Sequence, residues 1–274
     1  MSFRIEPPQT VRDRLASATR AQIGIWVDSA NPLVAEICAG SGLDLLLIDG
    51  EHGPNTLDSI LPQLQAVAAY PITTIVRLPV ADTAVVKQFL DAGAQNLLAP
   101  MVNTAEQART MVQAVRYPPL GVRGVGSALA RSSRWSRIDD YVQRAHELVS
   151  LIVQIETAEA VGNVEQIAAV EGIDAIFIGP ADLAASMGHL GEQDHPDVVA
   201  AIENTIAVAK RLGTPVGINA FAPKMAGHYL AAGVDFVFVG SDVTLLARGS
   251  EALAAAYIAD ETEPDAAASP PADY

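Results

Sequence analysis

Charged and amide side chains recur directly after short apolar segments of this 274-residue chain. Asp49 ends one such segment and is followed by Glu51 and His52 in the order Asp-Gly-Glu-His-Gly. The other members of the set end or follow different segments and are Arg77, Gln154, Glu156 and Asp182. Carboxylates bind hard divalent cations, arginine stabilises a developing oxyanion, and histidine moves protons. These residue types predict chemistry through a metal-stabilised enolate, in which the cation chelates a 2-oxo acid.

Each of these residues also has a structural explanation when it is taken alone. Asp182 can cap the helix that follows it, Arg77 can form a structural ion pair, and His52 can lie on the surface. Glu51 can be a solvated or structural neighbour. The functional interpretation depends on their convergence at the same end of several strands.

Gln154 and Glu156 carry the prediction of a metal. They are two residues apart in a predicted strand, so both side chains point to the same side, which in a barrel can be the interior. A buried glutamate is costly unless it is paired or binds a cation, and Asp182 from the next strand can share that cation. Zinc is disfavoured because the remaining histidines are scattered over helices and loops, namely His146, His189, His195 and His228.

The lysines argue against a Schiff-base aldolase, which needs a lysine at the ends of the strands. The chain has only Lys87, Lys210 and Lys224, and all three fall in helical segments. Lys224, which begins a helix, is the only conceivable candidate.

Apolar segments that are typical of buried parallel strands alternate with segments of helical periodicity. The strands are predicted at residues 22–27, 44–49, 74–78, 96–101, 151–156, 174–179, 215–220 and 236–241. The helices are predicted at 32–39, 56–69, 82–92, 104–116, 160–170, 196–212, 222–232 and 243–257. This order predicts a (β/α)8 barrel, whose chemistry lies at the carboxyl ends of the strands. An open doubly wound sheet is the alternative, but no glycine-rich fingerprint follows the first strand at Val27.

The barrel is predicted to occupy residues 1–260 as a single domain. We expect a long βα insertion at about 117–150 and a disordered tail at 261–274.

Composition excludes several classes of function. Half of the residues are apolar and only 18% are charged, which predicts a large core. The net charge of -15 argues against binding nucleic acid or an anionic membrane surface. Cys38 is the single cysteine, so neither an internal disulfide nor a cysteine-rich metal site can form. Without a signal peptide or a long apolar run, the protein is expected to be cytoplasmic.

The motifs resemble those of the HpcH/HpaI family, the metal-dependent (class II) pyruvate aldolases. The similarity extends from about residue 22 to residue 253. It is carried by Leu-Ile-Asp49-Gly-Glu-His52, Val76-Arg77, Leu90-Asp91-Ala-Gly, Gln154-Ile-Glu156, Gly179-Pro-Ala-Asp182-Leu and the segments 116–126 and 127–135.

The resemblance implies roles for individual residues. Glu156 and Asp182 would hold Mg²⁺, Mn²⁺ or Co²⁺, with no organic cofactor. Arg77 would support the enolate and Gln154 would orient the 2-oxo acid. The remaining assignments are His52 for proton relay, Asp49 for steering that histidine, the amides of Ala181 and Asp182 for the substrate carboxylate, Trp26 for substrate contact, and Asp91 for the site of an adjacent subunit.

The resemblance also implies an assembly and an activity. The last helix would be exchanged between subunits of a hexamer, a trimer of dimers. The enzyme would reversibly cleave 4-hydroxy-2-oxo acids into pyruvate, or an analogue such as hydroxypyruvate, and an aldehyde. An acyl-CoA carbon–carbon lyase, with Arg131, Arg134 and Arg137 as a basic groove, and a 2-keto-3-deoxy sugar-acid aldolase remain alternatives, and a non-enzymatic barrel is a third. If Asp28 points into the site, it would repel an acidic aldehyde.

Overall fold

Eight parallel strands close into a barrel in the computed structural model, which describes residues 3–258. They are β1 (Gln22–Val27), β2 (Leu45–Asp49), β3 (Thr73–Arg77), β4 (Asn96–Ala99), β5 (Ser150–Ile155), β6 (Ala175–Ile178), β7 (Val216–Asn219) and β8 (Phe236–Ser241). Each strand pairs with the next, and β8 pairs with β1. The predicted barrel is therefore confirmed, and an open sheet is excluded. The predicted tail at 261–274 lies outside the described residues.

Helices connect the strands on the outside of the barrel. They are α1 (Val11–Ser17), α2 (Pro32–Ala39), α3 (Leu57–Ala66), α4 (Thr83–Ala92), α5 (Ala105–Val115), α6 (Tyr141–Arg144), α7 (Ala158–Gly162), α8 (Val164–Ala168), α9 (Pro180–Ser186), α10 (Pro196–Leu212), α11 (Pro223–Ala231) and α12 (Asp242–Tyr257). The helix predicted at 160–170 is two short helices, because Asn163 leaves the helical conformation between them. Sequence periodicity did not predict α1, α6 or α9, which are each seven residues or shorter.

The helix α1 closes the amino-terminal end of the barrel. Thr10 and Asp13 form a capping box at its start. Val11 is fully buried among the residues that fill the barrel, and its backbone N–H donates to Asn96 Oδ1 at 2.9 Å. This end of the barrel is thus covered by the chain itself.

Aromatic side chains fill the barrel interior below the carboxyl ends of the strands. Trp26, Phe177, Phe236 and Phe238 contact one another with ring centroids 5.7–6.3 Å apart. Gly217 provides the space, because a Cβ there would lie 2.1 Å from the Phe236 ring. A small molecule can therefore enter only from the end of the barrel where the strands terminate, which we call the mouth.

The segment predicted as a βα insertion is an αβ connection, because it follows α5 and precedes β5. The predicted type of junction is therefore wrong, since a βα insertion would follow a strand. Arg123 anchors it: the guanidinium is buried, with its carbon 4.5 Å from the Tyr117 ring centre and 5.8 Å from that of Tyr141. This packing gives the long segment its own small core, which includes Ile138.

The helix α12 packs very little against its own barrel. Asp242 at its start is its only buried residue. Large apolar side chains along the rest are exposed, including Leu246 at 70%, Leu253 at 60% and Tyr257 at 69%. The described part of the chain thus leaves an apolar helix face uncovered. Among these residues, no helix is both long and apolar enough to cross a membrane.

Candidate active site

A cavity of about 240 Å³ lies at the mouth of the barrel. It is lined by Trp26, Asp28, Asp49, His52, Arg77, Gln154, Phe177, Gly179, Pro180, Ala181, Asp182, Asn219, Phe221 and Ser241. Most of the residues singled out from the sequence are therefore brought together, as the rule about strand ends predicts.

A buried ion pair forms one wall of this cavity. Arg77 donates from Nε and Nη2 to the two carboxylate oxygens of Asp49, at 2.8 and 2.7 Å. Its third nitrogen, Nη1, is 3.0 Å from Glu51 Oε2, an ion pair without the alignment of a hydrogen bond. Burial opposes the charge of Asp49, but the hydrogen bonds and charge of Arg77 hold the pKa of Asp49 below its usual range. Both charges of the pair are thus maintained in the folded protein.

Trp26 packs against the guanidinium of Arg77 on the side of the barrel interior. The ring centre lies 4.5 Å from the guanidinium carbon of Arg77, a cation–π contact. The indole Nε1–H donates to Asn219 Oδ1 at 3.0 Å, which fixes the ring. Arg77 is therefore held on three sides, by two carboxylates and an aromatic ring.

Gln154 and Glu156 form a second wall, on the same side of the chain as their two-residue spacing predicts. Gln154 lines the cavity from the end of β5, and Glu156, the first residue after this strand, contacts Gln154 from behind without lining the cavity itself. The Gln154 amide donates to one carboxylate oxygen of Glu156, and the backbone N–H of Met101 donates to the other at 2.6 Å. Gly179 allows this arrangement, because a Cβ at that position would lie 2.9 Å from both side chains. Burial, and then the charges of Glu51 and Asp182, raise the pKa of Glu156 to about 7 despite the bond from Met101.

The donor atoms on this wall fit a hard divalent cation. Glu156 is 2% exposed and shares its surroundings with two further carboxylates, Glu51 and Asp182. Gln154 Oε1 is buried, and no described residue donates a hydrogen bond to it. Such an oxygen next to poorly compensated carboxylates is what Mg²⁺ or Mn²⁺ prefers as ligands.

The amino-terminal end of α9 borders the same wall. Pro180 occupies the first helical position, and no side chain caps the helix. The backbone N–H groups of Ala181 and Asp182 consequently lack intrahelical acceptors, and both residues line the cavity. They can receive a carboxylate group of a ligand.

His52 lies at the exposed side of the cavity. Its backbone N–H donates to Asp49 Oδ2 at 3.3 Å. The sequence predicts that Asp49 orients the imidazole, but in the described residues this carboxylate bonds to Arg77 and to backbone amides instead. The structure thus places His52 in the cavity, but Asp49 contacts Arg77 and backbone amides and not the imidazole of His52.

Asp28 also lines the cavity, which was the condition for its predicted effect on acidic aldehydes. Its backbone N–H donates to the buried carboxylate of Asp242 at 2.8 Å, and the next amide, of Ser29, donates to the same side chain. Burial, followed by the charge of Asp49 and a hydrogen bond with it, raises the pKa of Asp28 to about 7.

Two predicted site residues, Glu156 and Asp91, do not line the cavity; Glu156 contacts Gln154 behind it, whereas Asp91 lies elsewhere. It is near the end of α4, where its Oδ1 is 3.5 Å from Nη2 of the buried Arg123. It lines a second depression with Gly126, Leu129 and Trp135. A role in the site of an adjacent subunit stays a prediction.

Sequence reasoning did not assign Met101, Asn219 or Asp242 to the site. Asn219 ends β7 and Asp242 follows β8, so the rule about strand ends was sufficient to find both. Met101 contributes only a backbone N–H in a left-handed conformation with φ 54°, and its residue type gives no signal for that.

Comparisons with known proteins agree with this geometry. The sequence profile of the HpcH/HpaI aldolase/citrate lyase family matches residues 22–249. The hydroxypyruvate/pyruvate aldolase of Deinococcus radiodurans is 52% identical over 96% of both chains. The 4-hydroxy-2-oxo-heptane-1,7-dioate aldolase of Salmonella dublin is 53% identical over 89% of this chain and 93% of its own. A crystal structure of a family protein from Burkholderia cenocepacia superposes with a TM-score of 0.85 and 39% identity, over 89% of this chain and 96% of that one.

Proposed function

This chain belongs to the HpcH/HpaI aldolase/citrate lyase family and is an aldolase, a carbon–carbon lyase; we propose that it reversibly cleaves 4-hydroxy-2-oxo acids into pyruvate, or a close analogue of it, and an aldehyde. The observation that carries the proposal is the presence, at one cavity, of the buried Arg77 guanidinium and of Gln154 and Asp182, with the buried Glu156 carboxylate in contact with Gln154. One wall binds a cation, and the other supplies fixed positive charge.

Glu156 and Asp182 would hold a divalent cation, with the free oxygen of Gln154 beside them. When bound, such an ion supplies Lewis-acid stabilisation of negative charge on the oxygens of a 2-oxo acid. Oxygen donors favour Mg²⁺ or Mn²⁺, and Co²⁺ remains compatible with them.

The protein's own groups would bind and orient the substrate. The amides of Ala181 and Asp182 would receive its carboxylate, and Arg77, fixed by Asp49 and Glu51, would stabilise the charge that develops on its oxo oxygen. His52 at the exposed side would carry the proton to or from the hydroxyl oxygen of the aldol. Trp26 and Phe177 would exclude water from the floor of the cavity.

The names of the two relatives, a hydroxypyruvate/pyruvate aldolase and a 4-hydroxy-2-oxo-heptane-1,7-dioate aldolase, support pyruvate or hydroxypyruvate as the donor substrate. On the acceptor side, Asp28 and Asp49 lie together at one edge of the cavity. A second carboxylate on the aldehyde would meet this acidic pair. We therefore propose that 4-hydroxy-2-oxo acids that release neutral or hydroxylated aldehydes are cleaved faster than those that release acidic aldehydes. Aldehydes derived from 2-keto-3-deoxy sugar acids fit that description.

The arginines that a CoA-dependent lyase would use to bind phosphate groups contact other parts of the chain. Arg131 donates to the carbonyl oxygens of Ala92 and Leu64, at the carboxyl ends of α4 and α3. Arg137 lies 5.7 Å from the ring centre of Trp135. None of these side chains lines the cavity at the mouth, which disfavours the acyl-CoA alternative.

The uncovered apolar face of α12 supports an assembly of several copies. We propose that this helix packs against a second subunit, as the family resemblance implies, within a hexamer. Exposed Leu33 and Ile37 on α2 offer a matching apolar surface. Asp91 would then approach the cavity of a neighbouring subunit.

Cleavage of a panel of 4-hydroxy-2-oxo acids, followed by enzymatic detection of pyruvate, tests the proposal. We expect activity that depends on an added divalent cation, is lost in Glu156→Gln, and is retained in His228→Asn, whose imidazole is remote from the cavity. Tight binding of CoA together with absence of cleavage would favour the rival lyase instead.

A further inference from the structure

The turn that joins α9 to α10 gathers metal-ligating side chains away from the candidate active site. His189, Glu192 and His195 each offer one nitrogen or carboxylate oxygen, and these atoms all lie within 4.8 Å of one another. None of the three lines the cavity at the mouth. We refer to His189, Glu192 and His195 as the turn cluster.

A fourth acidic group faces the same point. Asp197, in the first turn of α10, has its Oδ2 3.8 Å from His189 Nε2 and 3.9 Å from His195 Nδ1. The two ring nitrogens that face this oxygen therefore belong to different residues and converge on a shared region. Two carboxylates and two imidazoles near one region together form a donor set for a cation.

The capping of α10 fixes the position of His195. His195 is the N-cap residue, and its Nδ1 accepts a hydrogen bond from the backbone N–H of Asp197 at 3.2 Å. An accepting Nδ1 requires the ring proton to be on Nε2. An ion that binds Nδ1 would therefore replace the amide of Asp197 as the partner of this lone pair.

The two imidazoles of the turn cluster are stacked. They lie face to face, with centroids 3.6 Å apart and planes inclined by 16°. Two positive charges at that separation would repel each other. A single divalent cation would balance both carboxylates and accept a lone pair from each ring, with that of His195 released from the amide of Asp197.

The turn is open enough to adjust around an ion. Gly188 and Gly191 flank His189 with φ values of +87° and +84°, and no heavy atom lies within 4 Å of a Cβ built on either. Lone pairs lie in the ring planes, so one ring must rotate out of the stack to share an ion with the other. Rotation would bring the ligand atoms to the roughly 3.3 Å separation expected around a tetrahedral ion with bonds of about 2.0–2.1 Å.

We propose that His189, Glu192 and His195 form a second divalent-cation site, which takes borderline transition ions such as Zn²⁺ or Ni²⁺ in preference to Mg²⁺. Imidazole ligands suit these ions, whereas the cavity at the mouth offers oxygen donors. A bound ion would fasten the carboxyl end of α9, the helix that carries Asp182, to the amino end of α10. The proposal is independent of the aldolase activity.

Equilibrium dialysis of the chelator-treated full-length protein against Zn²⁺ tests the site without using turnover. Glu156→Gln removes a donor at the mouth, while His189→Gln and His195→Asn each remove one imidazole from the turn cluster. Asparagine keeps an acceptor at the N-cap, so α10 retains its cap. His228→Asn is the matched control, because His228 also lies beside an exposed carboxylate, Glu203 at 2.9 Å, but has no second imidazole nearby among the described residues.

We expect one Zn²⁺ per chain to persist in Glu156→Gln and to be lost when either imidazole of the turn cluster is also removed. His228→Asn in the same background should leave the count unchanged, and excess Mg²⁺ should not displace the ion. A Zn²⁺ count that is insensitive to both His189→Gln and His195→Asn would overturn the proposal. The turn cluster would then serve only to cap α10.

Discussion

Removal of the buried charges of Asp49 and Arg77 should cost unequal amounts of stability. Asp49 is 1% and Arg77 6% exposed, and two hydrogen bonds join them. Removing one member of such a pair costs about 3–5 kcal/mol, because the other charge stays buried. Arg77 also has Glu51 at 3.0 Å, whereas Asp49 has no second cationic partner among residues 3–258.

The asymmetry sets the expected magnitudes. Arg77→Met leaves the buried carboxylate of Asp49 and the partly buried one of Glu51 without a cation, so the free energy of unfolding should fall by about 3–5 kcal/mol. Asp49→Asn leaves Arg77 paired with Glu51 and keeps an amide oxygen as acceptor, so we expect a loss of about 1–3 kcal/mol. The double variant should lose at least about 1 kcal/mol less than the sum of the two single losses.

Urea unfolding at fixed protein concentration, followed by tryptophan fluorescence, measures these differences. Trp26 is a suitable probe because it contacts the Arg77 guanidinium. Arg20 and Asp44 provide the control, since they form a similar two-point pair at 2.6 and 3.0 Å with Arg20 largely exposed. Because solvent screens an exposed pair, its removal should change the free energy of unfolding far less than either substitution at the buried pair. Two results would refute this account of the Arg77–Asp49 ion pair. One is an equal loss of unfolding free energy in Arg77→Met and Asp49→Asn, and the other is a loss in the double variant equal to the sum of the two.

Four further substitutions test the residues proposed to hold the cation and their surroundings. Glu156→Gln and Asp182→Asn should each lower cation-dependent cleavage by more than about 10²-fold with an unchanged circular dichroism spectrum, and full activity would exclude them as ligands. Gly179→Ala should weaken Mn²⁺ binding in calorimetry by about 10–100-fold, because its methyl group would displace the side chains that hold the ion; unchanged affinity would contradict that packing. The pKa of Asp28 is raised to about 7, so the folded protein binds this proton more tightly than the unfolded chain, and stability is lost as pH rises from about 4 to about 7. Asp28→Asn removes this titration and should therefore raise the midpoint of thermal unfolding more at pH 8 than at pH 5, whereas an equal shift at both pH values would contradict it.

The architecture of the barrel could be predicted from the sequence because burial on both faces leaves a continuous apolar pattern. The predicted bounds of β1 and β8 match the structure, and the other strands differ by one or two residues at an end. Gln154 and Glu156 could be assigned to one side of β5 by the two-residue period of a strand alone. The lining of the mouth followed from the rule about strand ends.

Contacts between side chains of different elements were the part that sequence could not specify. The steering of His52 by Asp49 was inferred from their proximity in sequence, but the register of β2 against β3 places Asp49 directly opposite Arg77. The stronger charge interaction determines the contact. The connection at 117–150 was assigned to the wrong kind of junction for a different reason: the predicted helix at 104–116 and the predicted strand at 151–156 already make it an αβ connection, as the structure shows.

Exchange of the pyruvate methyl protons in deuterated buffer measures enolate formation without knowledge of the aldehyde. We expect exchange that disappears with EDTA, returns when Mn²⁺ or Mg²⁺ is restored, and is absent in Glu156→Gln. Exchange that persists undiminished in EDTA, or no exchange with any cation, would contradict the assignment of Glu156, Asp182 and Arg77 to a cation-dependent pyruvate site.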